Sequence, residues 1–124
     1  MGYGIESVMK PLATHLLIEL FDCDSKILND SNQVKDIFID AAKKGKATIV
    51  NDLFHEFSPH GITGVLVIAE SHLSIHTWPE HQYVAIDIFS CGNKVDFNKI
   101  INYLKDKLKC KNSSSVSINR GSHG

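Results

Sequence analysis

Cysteine, charge imbalance and long apolar runs are all scarce in this sequence, and each scarcity removes a class of protein. The three cysteines, Cys23, Cys91 and Cys110, contain no C-x-x-C pair. An odd number so spaced argues against both a disulfide framework and a thiolate zinc site, and leaves free thiols as the expectation. Lys and Arg total 13 against 14 Asp and Glu, a formal net charge of -1. Without basic runs interleaved by aromatics, no nucleic acid partner is expected. No apolar stretch approaches the roughly 20 residues of a membrane-spanning helix. The start, MGYGIESVMKPLATH, lacks the charged-then-apolar layout of a signal peptide, so a cytoplasmic protein with no membrane partner is expected. There is no internal repeat and no interdomain linker. The 124 residues, 43% hydrophobic and 22% charged, suit one folded domain spanning 1-124.

Periodicity then places the elements. Residues 1 to 11, with Gly2, Gly4 and Pro11, read as a loose leader. Leu12 to Phe21 alternates as a strand, Leu16, Ile18 and Leu20 on one face and His15, Leu17 and Glu19 on the other. After Asp30-Ser31-Asn32, the apolar positions Val34, Ile37, Phe38, Ala41 and Ala42 have helical spacing, and Gly45 follows as a stop. Ala47 to Phe57 and Ile62 to Ala69 flank the turn Ser58-Pro59-His60-Gly61 and read as a hairpin. Ser71 to Trp78, a Pro79 break and Tyr83 to Cys91 continue the strands. Asp96 caps a helix carrying Phe97, Ile100, Ile101, Leu104 and Leu108, and Ser114 to Ile118 reads as a short edge strand.

This order predicts an α+β domain, a mostly antiparallel sheet with two helices on one face. The other face would carry Thr63, Val65, Val67, Ala85, Asp87, Phe89 and Cys91. Such a mixed, uncovered face predicts a site or a partner subunit.

Chemistry-bearing side chains concentrate in AESHLSIHTWPEHQYVAIDIFSCG. In the plainest reading, His72, Ser74 and His76 are the polar face of a half-buried strand. A metal site could draw on His72, His76, His81 and Cys91, but His72 and His76 lie about 13 Å apart along a strand, too far for one tetrahedral ion. A serine hydrolase would need the G-x-S-x-G elbow, and here Glu70 precedes Ser71.

The segment GITGVLVIAESHLSIHTWPEHQYVAIDIFSCG closely resembles the self-processing segment of prokaryotic S-adenosylmethionine decarboxylases. Their signature falls on Glu70, Ser71, His72, Ser74, Ile75, His76, Pro79 and Glu80, with Cys91 at the matching distance. A looser similarity runs over residues 12 to 120 and includes His15, Cys23-Asp24 and Phe54-His55-x-Phe57.

The resemblance implies autocatalytic cleavage at Glu70-Ser71 into chains 1-70 and 71-124, with Ser71 converted to a pyruvoyl cofactor. His76 matches the histidine that removes the α proton during processing, a task suited to imidazole. Thr63 stands where relatives commonly carry a serine that assists. Cys91 matches the acid that returns a proton to carbon. Glu80 matches the group for the ribose hydroxyls, and Phe57 the aromatic that stacks on adenine. The substrate implied is S-adenosylmethionine, decarboxylated to the aminopropyl donor for spermidine. A homodimer of cleaved protomers is implied too, in an αββα sandwich with the site near the subunit interface. Ser71 and His76 have opposite strand parity, so the backbone must bend between them or rearrange on cleavage. Departures from the family pattern are Ala13-Thr14 before His15, Thr63 for serine and Gln82 before Tyr83. The same machinery would also suit another amino acid such as ornithine or arginine. An unprocessed regulatory homologue and a metal-binding module are the other readings.

Overall fold

The computed structural model describes residues 11-122, so all of the expected leader except Pro11 lies outside the described residues. Six strands form one sheet: β1 (Ala13–Phe21), β2 (Ile49–Glu56), β3 (Ile62–Ile68), β4 (Ser71–Trp78), β5 (Tyr83–Cys91) and β6 (Asn112–Arg120). Their order is β2-β3-β4-β5-β1-β6 and every neighbouring pair is antiparallel. Among the described residues three helices accompany them: α1 (Ser25–Leu28), α2 (Ser31–Lys44) and α3 (Phe97–Lys107). A 3-10 turn, Pro79–His81, fills the break between β4 and β5.

Period-two alternation divides the sheet into two faces. Ile18, Leu20, Leu66, Leu73, Ile75, Ile86 and Ile88 point one way and merge with Val34, Phe38, Ala41 and Ala42 of α2 and Ile100 and Leu104 of α3 into a single core. Both long helices begin on aspartates. Asp30 Oδ1 accepts from Gln33 N–H at 3.1 Å, and Asp96 Oδ1 accepts from Lys99 N–H at 3.1 Å, each satisfying a donor left free at a helix start.

Gly45 does more than stop α2. Its φ of -84° is ordinary, but a Cβ there would sit 2.3 Å from Ile100 Cγ1 and 2.9 Å from the Asp96 carbonyl oxygen. The residue is small because α3 crosses directly against it, and Asp96 N–H donates to the Gly45 carbonyl at 2.9 Å. Gly45→Ala is therefore expected to destabilise the domain by about 1–3 kcal/mol in urea titration, the usual cost of overpacking.

Two elements differ from the sequence reading. Helix α1 carries no sequence signal, because four residues show no period; Asp24 caps it by accepting from Lys26 N–H at 2.9 Å and Ile27 N–H at 3.2 Å. Strand β6 runs over nine residues rather than five. Its serines show no apolar alternation, since the strand is exposed throughout and held by its pairing with β1 from Ala13↔Arg120 to Phe21↔Asn112.

The face away from the helices carries Leu17, Phe21, Leu53, Val67, Trp78, Val116 and Ile118, each at least 36% exposed. So much exposed apolar surface on one side of one sheet is unusual for a lone soluble domain.

Candidate active site

Ile68 pairs with Ser71 across the β3-β4 hairpin, leaving Ala69 and Glu70 as its two turn residues. The Glu70-Ser71 bond is thus the exit of a tight turn. Ser71 has φ 153°, a region that residues with a Cβ rarely occupy. The pairing of β4 with β3 and β5 runs in unbroken register from Ser71 to His76, so no bend separates the two residues and the unusual conformation falls on the serine itself.

The Glu70 carbonyl oxygen accepts two hydrogen bonds from the end of β5, from Cys91 N–H at 3.0 Å and from Cys91 Sγ at 3.1 Å. Two donors aimed at one carbonyl oxygen stabilise negative charge if a nucleophile adds to its carbon. The three thiols separate clearly. Burial, foremost, and nearby Cys110 and Asp22 push the Cys23 thiol up to about 12, and burial also raises Cys110. Cys91 alone of the three is exposed.

The side chain of Glu70 is anchored as well. Its Oε1 accepts from Thr48 N–H at 3.1 Å, and its Oε2 accepts from Thr48 Oγ1 at 3.2 Å and lies 3.2 Å from Lys94 Nζ. The Thr48 backbone donor, chiefly, and Lys94 hold this carboxyl below the usual carboxylate range. Sequence reasoning missed Thr48 and Lys94, which lie 22 and 24 positions from Glu70 and carry no motif.

The second group of expected residues sits at the other end of β4. His76 and Thr63 are direct cross-strand partners on the helix-free face, with Thr63 Oγ1 3.0 Å from His76 Nδ1. When Nδ1–H donates to Thr63, the Nε2 lone pair is left free to take a proton. Both line a cleft of about 260 Å³ with Phe57, His60, Trp78 and Glu80. Its two aromatic side chains, Phe57 and Trp78, among polar neighbours and a single carboxylate suit a flat aromatic ligand with a polar rim.

The structure therefore assembles the expected residues in two groups. Glu70, Ser71 and Cys91 meet at one end; Phe57, Thr63, His76 and Glu80 meet at the other. Five residues of strand separate Ser71 from His76, about 16 Å, and they do not meet within one protomer. Of the metal reading, no group of three or more His, Cys, Asp or Glu side chains that could hold an ion occurs among the described residues. No helix of the described residues is long and apolar enough to cross a membrane.

The crystal structure of the adenosylmethionine decarboxylase from Aquifex aeolicus superposes with a TM-score of 0.83 at 31% identity, covering 90% of this chain and 92% of that one. The family model for S-adenosylmethionine decarboxylase matches residues 14–121. Among relatives, the S-adenosylmethionine decarboxylase proenzyme of Thermodesulfovibrio yellowstonii is 51% identical over 91% of this chain and 84% of its own. That of Clostridium tetani is 44% identical over 91% and 90% respectively. The chain belongs to the S-adenosylmethionine decarboxylase family.

Proposed function

We propose that this chain is a proenzyme that cuts itself at Glu70-Ser71 and then decarboxylates S-adenosylmethionine, yielding the aminopropyl donor for spermidine. The observation that carries the reading is the paired donation from Cys91 N–H and Sγ to the Glu70 carbonyl oxygen, beside a serine held at φ 153°. Ser71 Oγ adds to that carbonyl carbon, the C–N bond breaks, and the hydroxyl proton ends on the freed amine. The resulting ester loses its Cα proton to a base and expels the Glu70 carboxylate, leaving dehydroalanine. Water then replaces the nitrogen, ammonia departs, and residue 71 carries a pyruvoyl group on chain 71-124, with 1-70 as the other product. The residues present fit that group, because its precursor hydroxyl and the electrophilic carbonyl lie at one hairpin tip and the donors to that carbonyl lie beside it at the end of β5.

A pyruvoyl group at residue 71 supplies a ketone for the substrate's amine and a sink for the electron pair released with CO₂. The chain's own side chains do the rest. Cys91, freed from the Glu70 carbonyl by cleavage, is placed to return a proton to carbon. Phe57 offers a face to adenine and Glu80 a carboxylate to the ribose hydroxyls. The helix-free sheet face excludes water once covered.

A second copy is the cover that completes the site. Two sheets packing face to face through Leu17, Val67, Val116 and Ile118 would build an αββα sandwich about 10 Å thick between sheets. A two-fold axis across that face reverses the strands, laying the Thr63-His76 end of one protomer over the Ser71-Cys91 end of the other. The base that the single protomer lacks at Ser71 is then His76 of the second copy. A cytoplasmic setting suits free thiols and a small metabolite substrate.

The reading is tested by CO₂ release from carboxyl-labelled S-adenosylmethionine, with ornithine and arginine in parallel. Release from S-adenosylmethionine alone is expected. Cys91→Ser is expected to lower it about 100-fold in molecules that have already cleaved, the scale of losing a general acid. Equal release from ornithine or arginine would assign the machinery to a different amino acid.

A further inference from the structure

We infer that Thr48 and Lys94 are positioning residues for self-cleavage, locking the Glu70 side chain so that its carbonyl stays on the Cys91 donors within reach of Ser71 Oγ. The inference rests on reading Glu70-Ser71 as the scissile bond.

The centre of a two-residue hairpin turn is ordinarily among the more mobile points of a chain. Here it is tied on every side. Ala69 N–H donates to the Thr48 carbonyl at 2.8 Å, and Thr48 N–H returns a bond to Glu70 Oε1 at 3.1 Å. Lys94 Nζ donates to Thr48 Oγ1 at 2.6 Å while lying 3.2 Å from Glu70 Oε2, and Thr48 Oγ1 itself donates to Oε2 at 3.2 Å. Ammonium, hydroxyl and carboxylate close a three-membered ring. Thr48 precedes β2, whereas Lys94 lies three residues beyond Cys91 in the β5-α3 loop. The ring therefore joins the acyl half of the scissile bond to the same segment that carries the carbonyl's donors.

Stability does not account for this arrangement. The Lys94 side chain is 57% exposed and that of Glu70 11%, and pairs with so exposed a partner contribute little to folding. What the ring controls is geometry. The acyl shift forms the Oγ–C bond, breaks C–N and passes the hydroxyl proton to the amine, and it requires the attacking oxygen roughly 3–3.5 Å from the carbonyl carbon and aligned with it. With both ends of Glu70 held, rotation about its backbone is suppressed, and the strained Ser71 φ persists instead of relaxing into the turn.

The test follows the fate of newly made chains. Protein is synthesised cell-free, synthesis is stopped, and conversion to the two pieces is timed by intact mass under denaturing conditions. Lys94→Met and Thr48→Val should each cleave about tenfold more slowly than the unaltered chain, the scale of a modest misplacement. Lys94→Arg and Thr48→Ser keep the donors and should restore cleavage to within about twofold. Thermal unfolding, measured in an uncleavable Ser71→Ala background, should be the same for all four substitutions, which separates positioning from folding. Cleavage of Lys94→Met and Thr48→Val at the unaltered rate would overturn the inference while leaving the scissile bond intact as a conclusion. Failure of Arg and Ser to rescue folded protein would overturn it equally. If the unaltered chain itself never cleaves, the reading of Glu70-Ser71 falls first and takes the clamp with it.

Discussion

Ser71→Ala protein is expected to remain a single 124-residue chain, whereas the unaltered protein separates under denaturing conditions into 1-70 and a blocked 71-124. The effect is all or none because the attacking oxygen is part of the bond's own residue. Alanine removes Oγ and leaves the turn, since the hairpin is held by backbone pairing of Ile68 with Ser71 and by the anchors on Glu70. Intact mass reads both outcomes at once: the number of pieces, and the loss of the amine from residue 71. Two pieces from Ser71→Ala would place the nucleophile elsewhere. A free amine on the second piece would mean hydrolysis without a cofactor.

The second large effect concerns two inactive chains that become active together. His76→Ala alone should form no pyruvoyl group, and Ser71→Ala alone has no hydroxyl to convert. Folded together as a mixed dimer, they present one complete site, Ser71 and Cys91 of the His76→Ala chain facing His76 and Thr63 of the Ser71→Ala chain. The other site lacks both. The His76→Ala chain should then be cut, and only in the mixture. The physical basis is the distance of about 16 Å between the two positions along β4, which rigid strands do not close. Distinguishable tags and intact mass identify the chain that was cut. A mixed dimer in which the His76→Ala chain stays whole would show that one protomer supplies its own base. The pieces of β4 would then have to rearrange by several residues of register, against the alternation that buries Leu73 and Ile75.

Much of the fold was legible beforehand because its signals are local. Alternation marked β1 and β5, and helical spacing marked α2 and α3, since one face of each is buried against the same core, while composition around a turn marked the β2-β3 hairpin. Strand β6 was only partly legible and α1 was not. Neither buries a continuous face, so pairing with β1 and a cap at Asp24 hold them instead. Gly45 looked like a helix stop, but its smallness answers to Ile100, 55 positions away.

The candidate site divides in the same way. Glu70, Ser71, His76, Glu80 and Cys91 stand out through their resemblance to a family signature, and the parity of Ser71 against His76 implies that an ideal strand keeps them on opposite faces. By itself the sequence therefore determined the types of the long elements, the buried faces of the two long helices and, through its resemblance, the family to which the chain belongs, all of which follow from residue order over short windows. Only the tertiary structure decided that Cys91 reaches the Glu70 carbonyl, that Thr48 and Lys94 hold its side chain, and that His76 lies at the far end of the strand. Those relations depend on which strands become neighbours and in what register, a choice made by burying the whole sheet face under α2 and α3 rather than by any one segment.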